Sequence, residues 1–70
     1  MVVATMTDRA ALLVGDVTDR IIAQLRHYKL SPQKQQDATG YRGEFVVVLA
    51  NADRKAAFLE AARNLRIQIQ

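Results

Sequence analysis

Val2, Val3, Ala4, Thr5 and Met6 open the chain as a short β-prone run. Thr7 and Asp8 follow, two residue types that cap helices. Apolar positions then fall at Ala10, Val14, Val17, Ile21, Leu25 and Tyr28. Spacings of three and four predict one long amphipathic helix, with Asp16, Asp19, Arg20, Ala23, Arg26 and His27 on its opposite side. Gly15 interrupts this helix at a cost of about 1 kcal/mol relative to alanine. A rival reading makes 11–14 a buried strand, Gly15 and Asp16 a turn, and Thr18 the cap of a shorter helix. The unbroken stripe favours the long helix.

That helix must stop before Pro32, because the residue preceding a proline avoids helical geometry. The polar stretch 33–39, QKQQDAT, survives as a strand only at a sheet edge. Gly40 and Gly43 place a turn after it. The run 44–50, EFVVVLA, is the clearest strand, continuous enough to be central. Asn51 and Asp53 cap a second helix, whose buried stripe is Ala57, Phe58, Ala61, Ala62 and Leu65. Leu65, Ile67 and Ile69 then alternate with Arg66, Gln68 and Gln70, the period of a half-buried strand.

The elements follow the order βαββαβ. The expected fold is therefore a single α+β domain over 1–70, ferredoxin-like, with an antiparallel sheet and two helices on one face. The other sheet face is left partly bare, and a bare apolar face on so small a domain invites a partner.

Composition narrows the chemistry. Half of the 70 residues are hydrophobic and only four are aromatic, so packing rests on Val, Ile, Leu and Ala. Cysteine is absent, which excludes disulfides and thiolate metal sites, and one histidine, His27, argues against a His-rich metal centre. No cofactor is expected. No apolar run approaches the roughly 20 residues of a membrane helix, so the expected location is cytoplasmic, with no membrane partner. The net charge of +3 is scattered over ten basic residues. A solvated surface accounts for it, and nucleic-acid contact is permitted without being demanded.

The stretch Thr7-Asp8-Arg9-Ala10-Ala11-Leu12-Leu13 after the first strand resembles the Asp-Arg-Pro-Gly-Leu-Leu loop of ACT domains, small ferredoxin-like regulatory modules. The tail from Gly40 to Gln70 looks like that family's third strand, second helix and fourth strand. Ala10 and Ala11 stand where the family has proline and glycine. The resemblance implies a non-catalytic module that binds an amino acid at the loop, with Asp8, Arg9, Ala10, Ala11 and Leu12 as candidate ligand residues.

The simpler account of Asp8 is a cap on the helix dipole. His27 has no nucleophile or paired carboxylate near it in sequence, and reads as a solvated histidine at a helix end. Asp16 and Asp19 with Arg20 read as a surface ion-pair ladder. Arg54, Lys55, Arg63 and Arg66 form a candidate basic strip for RNA, although sheet-based RNA readers also need aromatics on exposed strands. No acid, base, nucleophile or metal set is assembled, so an enzyme is not expected. The expected function is a non-catalytic regulatory or interaction module. It would form a homodimer or larger homo-oligomer and sense an amino acid or other small effector. The alternatives are a small nucleic-acid-binding protein and a protein–protein adaptor with no small ligand.

Overall fold

The computed structural model describes residues 1–34 and 44–70. Seven elements follow one another: β1 (Val2–Met6), β2 (Ala10–Gly15), α1 (Asp19–His27), β3 (Pro32–Lys34), β4 (Glu44–Val48), α2 (Ala52–Leu65) and β5 (Gln68–Ile69). They form one five-stranded sheet in the order β3-β4-β2-β1-β5. Neighbours pair antiparallel except β1 and β5, which are parallel. The protein is thus α+β with a mixed sheet, where the sequence predicts an antiparallel one.

The first helix is the main correction. Residues 10–15 are a strand and α1 begins at Asp19, as in the rival reading. A spacing of four is even, so Ala10 and Val14 share a side of a strand as readily as a stripe of a helix. Ala11 and Leu13 decide the matter. In the long helix they would lie beside the polar side chains, whereas in β2 they point into the core and are fully buried. Thr7 does not cap a helix. Its hydroxyl accepts from the N–H of Arg9 (3.3 Å) and Ala10 (3.1 Å), and its own N–H donates to the Ala10 carbonyl (2.8 Å), closing the β1–β2 turn. The cap of α1 is Thr18, whose hydroxyl accepts from Ile21 N–H.

β3 is a polar edge strand, as expected, but the rest of stretch 33–39 and the Gly40–Gly43 turn lie outside the described residues. The alternating tail yields only two strand residues, because Leu65 completes α2 and Ile67 turns into the core.

Alternation sorts the sheet into two faces. Val2, Ala4, Ala11, Leu13 and Val47 point inward and share one core with Leu25, Leu30, Leu49, Phe58, Ala61, Ala62 and Ile67. Both helices therefore cover the same face. Phe58, the largest fully buried side chain, anchors α2 to the sheet. Both helices end alike. Lys29 (φ 63) and Arg66 (φ 58) take left-handed conformations, and the next residues, Leu30 and Ile67, return an N–H to Leu25 and Ala62 and bury their side chains. Arg54 locks the layers laterally, donating to the carbonyls of Tyr28 (2.9 Å) and Lys29 (3.3 Å) at the end of α1. Asn64 donates to the Tyr28 hydroxyl (2.7 Å).

Gly15 ends β2 with φ 121, and a Cβ there would collide with the Met1 carbonyl oxygen. Gly15→Ala is expected to lower stability by about 1–3 kcal/mol, measured by urea denaturation. Phe58→Ala is expected to cost about 3–5 kcal/mol, enough to leave much of this small domain unfolded in a thermal scan. Arg54→Met strands two carbonyls at the end of α1, with an expected loss of about 1–3 kcal/mol by the same denaturation assay.

Candidate functional site

The β1–β2 turn, the end of β4 and the start of α2 enclose an open cleft of about 630 Å³. It is lined by Asp8, Arg9, Val48, Leu49, Ala50, Asn51, Ala52 and Lys55. Two contacts hold its walls. Leu49 N–H donates to the Arg9 carbonyl (2.8 Å), tying the turn to β4, and Lys55 Nζ reaches Asp8 Oδ1 at 3.6 Å. The side-chain oxygen of Asn51 accepts from Arg54 N–H (2.9 Å) as the cap of α2, which fixes its orientation in the cleft wall. Arg9 and Lys55 offer positive charge and Asp8 offers negative, so the cleft matches the two ends of a small zwitterion.

Of the five residues expected at a ligand, only Asp8 and Arg9 line this cleft. Ala11 is fully buried in the core and has no access to a ligand. Ala10 and Leu12 belong to β2 and point to the opposite face, in register with Val48 and Val46. The helix expected to start at Asp8 is absent there, so the junction presents a hairpin turn in place of a helix N-terminus.

The expected basic strip also separates. Arg54 and Lys55 lie at the start of α2 and are engaged with Tyr28, Lys29 and Asp8. Arg63 and Arg66 lie at the other end of α2, where Arg66 shares a second cleft with Arg20. His27 is exposed and stands edge-on to Tyr28, with ring centroids 6.0 Å apart. Asp16 faces the N-terminal amine at 3.8 Å, so the expected ladder with Arg20 does not form. Among the described residues, no group of three or more His, Asp or Glu side chains comes together to hold a metal. No helix among them is long and apolar enough to cross a membrane.

A bare apolar sheet face is expected from the sequence, but the helical reading of 10–14 leaves out its central strand. The uncovered sheet face carries Val3 and Thr5 from β1, Ala10, Leu12 and Val14 from β2, and Val46 and Val48 from β4. Val48 is 61% exposed and Val14 43%. Glu44 at the rim is the charged side chain of this face among the described residues. Strict alternation of Ala10, Leu12 and Val14 against Ala11 and Leu13 is the signal that identifies it.

Comparison with protein-family models, with curated proteins and with solved structures gives no match to this chain.

Lys55→Met removes the cation facing Asp8 without touching the core. Its expected effect on the melting temperature is within about 2 °C, because an exposed ion pair contributes little, and differential scanning calorimetry checks this.

Proposed function

We propose that the protein is a non-catalytic interaction module that associates with a second copy of itself through the uncovered face of its sheet. The observation that carries this reading is the row of apolar side chains at Val3, Leu12, Val14, Val46 and Val48, with no layer over it among the described residues. A strand spacing of about 4.8 Å and a rise of about 3.3 Å per residue give a face of roughly 20 by 17 Å. Two such faces stacked would bury roughly 700 Å², below the size of a standard stable interface. The association is therefore weak and concentration-dependent.

The wider fold relation belongs to the same proposal. With β1 set aside, β2-α1-β3-β4-α2-β5 is a βαββαβ unit in the strand order β3-β4-β2-β5, supporting a ferredoxin-like ancestry with an added first strand. The likeness to ACT domains enters through this layout and through the cleft at Asp8 and Arg9, where an amino acid is the effector class that suits the mixed charges.

Sedimentation velocity over about 5–500 μM tests the self-association. The wild type is expected to shift reversibly from monomer to dimer, and Leu12→Lys and Val48→Lys to remain monomeric with native circular dichroism. A wild type that stays monomeric throughout would falsify the reading. Amino acids as a panel are expected to raise the melting temperature by mass action, and Arg9→Gln to abolish that shift.

A further inference from the structure

The geometry points to a second, independent site: a cleft on the helix side of the molecule that holds the phosphate backbone of a nucleic acid. Charge is segregated in this chain. Residues 19–29 and 52–66 carry seven of its ten basic side chains and three of its seven acidic ones. Two of the seven are engaged, Arg54 with the carbonyls closing α1 and Lys55 with Asp8. Arg20, Arg63 and Arg66 have no ion-pair partner among the described residues.

These three gather where α1 begins and α2 ends. Arg20 and Arg66 line a cleft of about 470 Å³ with Thr18, Ile21, Asn64 and Leu65, and Arg63 precedes Asn64 in the last turn of α2. Each lining arginine carries a local cost. Arg20 sits in the first turn of α1, the end where a helix dipole disfavours a cation. Arg66 occupies a left-handed position that glycine takes without steric cost. The dipole of α2 rewards a cation at Arg66, but nothing in the fold rewards Arg20, so the pairing of the two across one cleft is what requires explanation. Asp19 and Glu60 lie nearby, and basic groups still outnumber them.

Guanidinium groups present paired N–H donors that match two oxygens of a phosphate. A third arginine outside the cleft extends the cationic surface past a single phosphate, which favours a polymer of phosphodiesters over a lone ion. Among the described residues no aromatic side chain lines the cleft, so they offer bases no stacking platform and binding is independent of base sequence. The cleft lies in the helix layer, away from the apolar sheet face, and does not require self-association.

Fluorescence anisotropy of a labelled single strand of about 12 nucleotides, at about 50 mM salt and upward, tests the proposal. A duplex of the same length and unlabelled pyrophosphate serve as competitors. Arg20→Gln and Arg66→Gly are each expected to weaken binding about fivefold or more and to reduce the slope of log affinity against log salt by about one. Lys29→Gly is the matched control, with the same left-handed conformation and the same charge change at the other end of α1. It is expected to leave binding within about twofold. Arg66→Gly is expected to keep or raise the melting temperature, which separates loss of the guanidinium from loss of fold. Equal weakening by Lys29→Gly, no binding at the lowest salt, or binding of pyrophosphate without the oligonucleotides would each overturn the proposal.

Discussion

Everything in this domain hangs on β2. It is hydrogen-bonded along its length to β1 on one side and β4 on the other, and its six residues sit in the middle of the sheet. Ala11 and Leu13 supply the inner face and Ala10, Leu12 and Val14 the outer one. A strand apolar on both faces suits a sheet buried on both sides. Among the described residues one side is covered by helices and the other is not, and that mismatch is the physical origin of the apolar surface.

The helices are held by their ends as much as by their stripes. α1 is only nine residues long, too short to be stable alone in water. Phe58, Ala61 and Ala62 bring α2 onto the sheet, and α2 then secures α1 through Arg54 and Asn64. Tyr28 receives both bonds, one on its carbonyl and one on its hydroxyl, and so joins the two helices across their interface. Polar groups thus fix the relative position of two helices whose apolar contact is modest.

Much of this was legible in the residues. Strand β4, the Asn51 cap, the α2 stripe and a polar edge strand beginning at Pro32 all follow from local chemistry with a single reading. The segment 10–17 did not, because Ala10, Val14 and Val17 satisfy two periodicities at once and Thr7-Asp8 caps a turn as well as a helix. Choosing the helix there carried the candidate ligand loop with it, placing Ala11 beside a ligand when it belongs to the core. The arginine cleft was out of reach for a different reason. Arg20 and Arg66 are far apart in sequence, and only the packing of α1 against α2 brings them together. Neither Lys29 nor Arg66 is the glycine that usually marks a left-handed helix end, so these two conformations leave no sign in the residues.

The parallel pairing of β1 with β5 joins two strands from opposite ends of this domain's sequence. Val3 lies opposite Gln68, and Gln70 donates its N–H to the Ala4 carbonyl (2.8 Å). During synthesis the β1–β2 hairpin can close early, but the outer edge of β1 stays open until β5 has been made. Until then a nascent chain would expose both that edge and the apolar sheet face. A protein built this way asks for protection while it is being made, from a chaperone or from rapid completion, more than after it has folded.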